Sequence, residues 1–221
     1  MKAGSLDIQT FVAAGFGENA YLVRCGEATA FAIDPGGDAG AMADTVEQDG
    51  LRLDAILLTH AHLDHVEGVA SLARRTGAPA YLHPADLPLY HGVAKQAAMF
   101  GLQTETPPPI DHELADGQEL RFGDCALVVR HVPGHSPGHV LFYCAEAAAA
   151  FIGDVVFMGS IGRTDLPGGD FQQLMRSIRE QVLTLPPETT LLTGHGPATS
   201  VAHEARSNPF LVPQFGSGGF A

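Results

Sequence analysis

The sequence is poor in several residue types, and each scarcity narrows the classes of protein to which it can belong. It has no Trp and only 7% aromatic residues, so its core must be built mainly from Leu, Val, Ile and Ala. No uninterrupted run of about 18 apolar residues occurs, so we expect no transmembrane helix. No apolar run follows a basic start, so we also expect no signal peptide.

Cysteine is scarce as well. The three cysteines are Cys25, Cys125 and Cys144, and no two of them form a CxxC pair. Their number is odd and their spacing is not that of a dense disulfide framework. We therefore predict reduced, buried thiols in a cytoplasmic protein.

Basic residues are few: 12 Lys and Arg stand against 25 Asp and Glu, a formal net charge of −13. Such a surface repels phosphate backbones and anionic lipids, so neither nucleic acid nor a membrane is an expected partner. A small-molecule substrate fits better, and the oligomeric state stays open. The 45% of hydrophobic residues suffices for a packed core.

Strand-like and helix-like patterns alternate along the 221 residues, which favours one α/β (α+β) domain over 1–221 with a small helical insertion near 85–112. Two sheets packed face to face, with helices outside, are expected. The Gly-rich stretch Gly216–Gly219 indicates a loosely held tail. Strands are predicted at Leu6–Phe11, Ala20–Arg24, Thr29–Ile33, Asp54–Leu58, Pro79–Leu82, Gln118–Phe122, Cys125–His131, Val140–Cys144, Ala149–Ile152 and Thr190–Leu192, and helices at Asp38–Gln48, Val66–Arg75, Val93–Phe100, Phe171–Leu183 and Val201–Arg206.

The strongest chemical signal is a dense group of His and Asp directly after a predicted buried strand. It comprises His60, His62, Asp64 and His65. In extended backbone His60 and His62 point the same way, and the next two side chains can aim at a second point nearby. Imidazole and carboxylate suit zinc, iron or manganese. The alternative is a polar loop at a helix start, but that rarely holds so many potential ligands.

Three later turns carry the same residue types after short apolar strands. His135 lies in a rigid Pro- and Gly-rich turn, and His139, at the start of the next strand, is expected to be a hydrogen-bonding neighbour rather than a ligand. Asp154 and His195 each follow an apolar strand and a Gly. Each alone could be a turn or cap residue. Together the four elements supply five His and two Asp, too many for one tetrahedral zinc and suited to two metals sharing a bridge.

These motifs, in this order, resemble the metallo-β-lactamase-fold superfamily over nearly the whole chain. The stretches Gly159–Asp165 and Asn208–Leu211 are similar to short bacterial members of its glyoxalase II-like (hydroxyacylglutathione hydrolase-like) branch. The resemblance implies an αββα sandwich and two divalent metal ions, with zinc expected first and iron or manganese as alternatives. It also implies that His60, His62 and His135 hold one metal, that Asp64, His65 and His195 hold the other, and that Asp154 bridges them.

The activity implied is hydrolysis of a thioester, most readily S-D-lactoylglutathione or a related hydroxyacyl thioester, by attack of a metal-bridging hydroxide. A thiolate leaves without a strong general acid, and these motifs supply none. Asp64 is expected to orient the hydroxide or take a proton, and Arg163 and His83 to line the substrate pocket. Two departures weaken the case for glutathione: Pro197 stands where that branch usually has Tyr, and no C-terminal helical domain follows His195.

Three alternatives remain open. A mononuclear iron persulfide dioxygenase shares the fold, and the stretch Gly162–Asp165 also occurs there. A nuclease of the same superfamily is disfavoured by the net charge of −13. A non-catalytic metal-binding module would bind metal without turnover of any thioester.

Overall fold

The computed structural model describes residues 2–3 and 6–212, so the prediction for Gly216–Gly219 lies outside the described residues. Seven strands, β1 to β7, form the first sheet in chain order. Strands β1 to β4 are antiparallel neighbours, and β4 to β7 run parallel. The strands are β1 (Lys2–Ala3), β2 (Leu6–Val12), β3 (Asn19–Arg24), β4 (Thr29–Ile33), β5 (Arg52–Leu57), β6 (Ala80–Leu82) and β7 (His112–Glu113).

The second half of the chain adds eight short strands: β8 (Glu119–Phe122), β9 (Cys125–His131), β10 (Val140–Cys144), β11 (Ala149–Gly153), β12 (Val156–Phe157), β13 (Ser160–Ile161), β14 (Thr190–Thr193) and β15 (Thr199–Ser200). Six of them form a second sheet in the order β15-β14-β11-β10-β9-β8, in which β11 and β14 are parallel. Strands β12 and β13 form a separate hairpin, which the sequence patterns did not predict.

The helices are α1 (Ala39–Gln48), α2 (Leu63–Val66), α3 (Val69–Thr76), α4 (Leu87–His91), α5 (Val93–Met99), α6 (Phe171–Ser177) and α7 (Val201–Ser207). One apolar cluster lies between the two sheets, with Phe31 and Phe142 among its members. A second joins the first sheet to α1 and α3, and a third joins the second sheet to α6 and the turn after it. The α/β sandwich of two mixed sheets with helices outside is therefore confirmed. The division into one domain with an inserted segment stays a prediction, although α4 and α5 fall within 85–112.

Two predicted helices are interrupted. The helix predicted over Val66–Arg75 breaks at Gly68, whose backbone N–H donates to the carbonyl oxygen of Pro35 (3.0 Å) instead of to a carbonyl of the preceding turn. The helix predicted over Phe171–Leu183 changes to π geometry from Ile178. Its side chains Leu174, Ile178 and Val182 are buried.

The prediction of reduced thiols is wrong for two of the three cysteines. Cys25 and Cys125 form a disulfide, with their Cα atoms 5.4 Å apart. The turn between β8 and β9 packs onto the end of β3 so tightly that a Cβ at Gly123 would lie 2.3 Å from the Cys25 carbonyl oxygen. This contact brings together two cysteines 100 residues apart in sequence. Cys144 is free and buried, as expected.

None of the helices in residues 2–3 and 6–212 has the length and the apolar character that a membrane span requires.

Candidate metal centre

The four turns predicted to carry metal ligands meet in space. Strand β5 ends at Leu57 and leads into His60, while α2 presents Asp64 and His65 within its first turns. The loop between β9 and β10 contributes His135. Asp154 directly follows β11, and His195 follows β14 after one intervening glycine. Because β11 and β14 are parallel neighbours, the last two turns lie side by side.

His60, His62 and His135 form the first group of donors. Their donor nitrogens lie within 4.8 Å of one another, and all three side chains are buried. The Nδ1 atom of His62 is 2.8 Å from Nε2 of His135, and that atom is 3.2 Å from Nε2 of His60. Three imidazole nitrogens that converge in this way can hold one cation.

Asp64, His65 and His195 form the second group. The Asp64 carboxylate is 3.2 Å from Nε2 of His195 and 3.9 Å from Nε2 of His65. His65 is fully buried, while His195 is partly open to solvent. Two imidazoles and one carboxylate provide a mixed N/O donor set suited to zinc or iron.

Asp154 lies between the two groups. One of its oxygens is 3.4 Å from Nε2 of His65. Its other oxygen is 3.5 Å from Nε2 of His135 and 3.6 Å from Nε2 of His195. A single carboxylate thus faces imidazoles of both groups, which is the position required of a bridging ligand.

The electrostatics of the two groups differ. Burial, followed by the neighbouring imidazoles, lowers the pKa of His60 well below its ordinary value and that of His62 to about 3. Burial also disfavours a charged His65, but Asp154 and Asp64 outweigh it and raise the pKa of His65. Burial alone would raise the pKa of Asp154, whereas His65 and its neighbours lower it. His60 and His62 are therefore neutral imidazoles, whereas the carboxylates of Asp64 and Asp154 concentrate negative charge around His65.

Unpaired buried atoms test whether a cation fits here. In the described part of the chain, Nε2 of His65 and the Asp154 oxygen 3.4 Å from it are both buried, and neither forms a hydrogen bond of normal geometry with any group. A buried polar atom without a partner costs free energy. Divalent cations would satisfy both atoms and balance the carboxylates, so the donor set indicates divalent metal binding.

Asp34 orients this centre and was not predicted to do so. Its carboxylate accepts hydrogen bonds from the backbone N–H of Thr59 (2.7 Å) and from the hydroxyl of Thr59 (2.6 Å), and it lies 3.0 Å from Nδ1 of His65. Asp34 is also close enough to His60 and His65 to count as a possible metal ligand. Since its oxygens already have these partners, we assign it to positioning His65.

Asp86 is a second positioning residue that the sequence did not reveal. Its carboxylate accepts hydrogen bonds from the backbone N–H of Ala61 (2.9 Å), the hydroxyl of Ser136 (2.8 Å) and the backbone N–H of Gly138 (2.6 Å). It therefore ties the loop of His60 and His62 to the loop of His135.

Two further contacts fix the donors. His139 accepts a hydrogen bond from the backbone N–H of Asp154 (3.1 Å), consistent with the hydrogen-bonding role expected of it. Nδ1 of His135 lies 2.7 Å from the carbonyl oxygen of Arg163, so this nitrogen donates and Nε2 is left as an acceptor.

Glu18 is a buried carboxyl group that sequence patterns did not single out. It is fully inaccessible, and within the described residues neither of its oxygens has a hydrogen-bond partner. Burial, against a smaller opposing effect of His65, raises its pKa to about 10. Glu18 also forms an isolated antiparallel bridge with His195, so its backbone supports the second group of donors.

Five of the seven donors, His62, Asp64, His135, Asp154 and His195, line a cavity of about 410 Å³. Arg163 also lines it and forms a two-pronged ion pair with Asp165. His83 is not among the described lining residues: its ring stacks on His131, with centroids 4.2 Å apart. The lining residues are Phe16, His62, Leu63, Asp64, Gln96, Phe100, His135, Asp154, Phe157, Ser160, Ile161, Arg163, Leu166 and His195.

Known proteins share this architecture. A family model described as the metallo-beta-lactamase superfamily matches residues 13–195. The hydroxyacylglutathione hydrolase GloC of Haemophilus influenzae is 38% identical over 93% of this chain and 98% of its own length. The crystal structure of TTHA1623 in a di-iron-bound form has a TM-score of 0.85 at 48% identity, covering 92% of this chain and 100% of that one. The BLEG-1 B3 metallo-beta-lactamase has a TM-score of 0.88 at 37% identity, covering 94% and 100%.

Proposed function

Because the chain belongs to the metallo-β-lactamase superfamily, we propose that it is a metal-dependent hydrolase of hydroxyacyl thioesters, with S-D-lactoylglutathione or a related thioester as substrate. One observation carries the proposal: Asp154 lies between two groups of three donors, and five of these seven side chains line one cavity. The name of the Haemophilus relative, hydroxyacylglutathione hydrolase, supports the choice of thioester class.

In this proposal His60, His62 and His135 would hold one divalent ion, Asp64, His65 and His195 would hold the second, and Asp154 would be a ligand shared by both. Bound there, the ions would supply Lewis acidity and would lower the pKa of water towards ~7. Zinc or iron fits these donors, and the di-iron form of TTHA1623 supports iron as a serious alternative to zinc.

The protein's own residues orient and hold charge. His65 and His195 lower the pKa of Asp64 despite its burial, so its carboxylate is ionised at neutral pH. An ionised Asp64 at the cavity base can accept a hydrogen bond from the attacking water and fix its direction. Asp34 and Asp86 hold the donor-bearing loops in place through their hydrogen bonds, so the donor side chains need little reorganisation during the reaction.

The choice of a thioester follows from what the cavity lacks. Apart from the five donors that line it, the polar side chains among its described lining residues are Gln96, Ser160 and Arg163. None of these is a general acid suited to protonating an amine or alkoxide leaving group. A thiolate is a better leaving group and departs without that help.

The test is hydrolysis of S-D-lactoylglutathione, with metal content measured on the same sample. We expect turnover that depends on two bound metal ions, and loss of turnover on chelation. A β-lactam serves as the comparison substrate, because one similar structure is a B3 metallo-beta-lactamase. A metal-loaded protein that hydrolyses no thioester would contradict the proposal.

Measurements on the same sample distinguish the hydrolase from the alternative, a persulfide dioxygenase. That activity needs a single iron and consumes oxygen, whereas the second donor group, Asp64, His65 and His195, favours a second metal. Oxygen uptake with glutathione persulfide, at one iron per chain, would favour the dioxygenase. Two metals without oxygen uptake would favour the hydrolase.

A further inference from the structure

We infer that the thiol carrier of the substrate is uncharged and apolar, so that glutathione is a poor carrier for this enzyme. The inference rests on the proposed thioester hydrolysis and concerns the half of the substrate that fills the outer cavity. A hydroxyacyl group is small and lies with its carbonyl at the donors. The remaining part of a cavity of about 410 Å³ must then accommodate the carrier.

The outer wall of the cavity is apolar. Phe16, from the turn between β2 and β3, and Phe100, just after α5, stack edge to face with centroids 5.4 Å apart. Phe100 is 57% exposed, which leaves a large apolar surface in water. Further apolar side chains line the cavity, Phe157 and Leu166 among them. An apolar carrier would cover these rings and remove their surface from water.

The amide of Gln96, one of the polar side chains of the wall, already has partners. The Gln96 side chain accepts a hydrogen bond from the backbone N–H of Leu63 and donates to the carbonyl oxygens of Ala61 and Leu89. Its amide is thereby committed to holding α5 against the loop that carries His62. It has little capacity left for a polar carrier.

The positively charged side chain of the wall, that of Arg163, is already paired with a carboxylate. Among the described lining residues, Arg163 is the only Lys or Arg, and both prongs of its guanidinium contact Asp165, at 2.7 and 2.8 Å. Residues 213–221, which the structure does not describe, contain no Lys or Arg in the sequence. Glutathione carries two carboxylates and one ammonium group. It would have to displace Asp165 from Arg163, in a protein with a net charge of −13.

Two lactoyl thioesters that differ only in their carrier test the inference. We compare kcat/KM for S-D-lactoylglutathione and for the D-lactoyl thioester of benzyl mercaptan, using the metal-loaded protein. The benzyl thioester should be favoured by about tenfold or more, since a tenfold preference corresponds to about 1.4 kcal/mol, less than a fully buried aromatic ring contributes.

Two variants test separately how the apolar wall and the Arg163–Asp165 ion pair contribute to the preference for one carrier. Phe100→Ala should lower kcat/KM for the benzyl thioester about tenfold, mostly through KM, and lower that for the glutathione thioester much less. Met99→Ala is the matched control, because Met99 is 70% exposed and is not among the described lining residues. Asp165→Asn should raise kcat/KM for S-D-lactoylglutathione about threefold to fivefold, since an exposed ion pair is weak and its removal frees Arg163.

The outcomes are distinguishable. If the metal-loaded protein hydrolyses neither thioester, the proposed function fails and the inference fails with it. If it prefers S-D-lactoylglutathione, the inference alone is overturned, whatever the effect of Asp165→Asn. Both replaced side chains are largely exposed, so loss of folding is not expected, and circular dichroism of each variant checks this.

Discussion

The carboxylate of Asp34 lies 3.0 Å from Nδ1 of His65, so a residue at the end of β4 orients a donor on α2. Asp34 holds a positive φ of 47°, a conformation that Asp and Asn tolerate better than most residues. Asp34→Asn therefore keeps the backbone but replaces one carboxylate oxygen with an amide NH₂. We expect metal affinity at the second donor group to fall about 10- to 100-fold, measured by competition with a chelator.

The control for that variant is Asp38→Asn. Asp38 lies on the same loop but makes no hydrogen bond to the start of α1 through its side chain. The substitution Asp38→Asn should therefore leave metal affinity unchanged. Equal affinities in Asp34→Asn and the unmodified protein would remove Asp34 from the role of positioning His65.

His62→Ala tests the first donor group. Its ring lies 2.8 Å from that of His135 and lines the cavity. Its removal therefore leaves the first group with two of its three donors. We expect metal content and turnover to fall together, with kcat lower by at least about 100-fold because Lewis-acid catalysis supplies several kcal/mol. Metal analysis and kinetics on one preparation measure both.

The fold should survive that substitution, because the adjoining strand β5 and the apolar clusters do not depend on this imidazole. An unchanged far-UV circular dichroism spectrum checks this. His112→Ala, on the exposed edge strand β7, is the control that should lose neither metal nor activity. Full activity in His62→Ala would remove the two-metal proposal.

The strand-and-turn framework of the site could be predicted because its signals are local. Each donor turn follows a short apolar strand, and the run His60–His65 concentrates four candidate donors in six residues. Strands Thr29–Ile33, Cys125–His131 and Val140–Cys144 match their predicted bounds, and each is a largely apolar run that begins shortly after a glycine. Local pattern and tertiary structure agree at these positions.

The remainder could not be predicted because the decisive contacts are distant in sequence. Asp34 lies 31 residues from His65, and Asp86 lies 50 residues from Ser136. Nothing near either carboxylate indicates its partner. Predicting His83 as a pocket residue has the same weakness: its stacking on His131 depends on how two sheets pack.

Activity should fall in two steps as the pH is lowered. Burial lowers the pKa of His195, but its hydrogen bond to Asp64 and the charge of Asp154 outweigh that effect and raise it above its ordinary value. The pKa of His65 is raised as well, whereas the pKa of His62 lies at about 3. A higher pKa means tighter proton binding, so protons should displace metal from the second donor group first.

The measurement is metal content per chain beside kcat over a pH series. We expect the count to fall from two to one, and turnover to decline, as the pH drops below about 6. Undiminished turnover at a pH of about 4.5 would contradict proton competition for the imidazoles. Loss of both ions in a single step would contradict the difference between the two groups.

Glu18→Gln should change how the stability of the metal-free protein depends on pH. The pKa of Glu18 is about 10 in the folded protein, against an ordinary value of 4.5. Between these values the folded state holds a proton that the unfolded chain releases, so its stabilising contribution is complete below about 4.5 and declines as the pH rises. The slope is at most about 1.4 kcal/mol per pH unit. Gln is neutral throughout and removes this slope.

Urea unfolding of both metal-free proteins near pH 5 and pH 8 measures the effect. On going from pH 5 to pH 8, Glu18→Gln should gain at least about 1 kcal/mol relative to the unmodified protein, because the other titrating groups contribute equally to both. Glu27→Gln, at an exposed position, should show no such gain. If Glu18→Gln and the unmodified protein lose stability in parallel, the Glu18 carboxyl releases its proton as readily in the folded protein as in the unfolded chain.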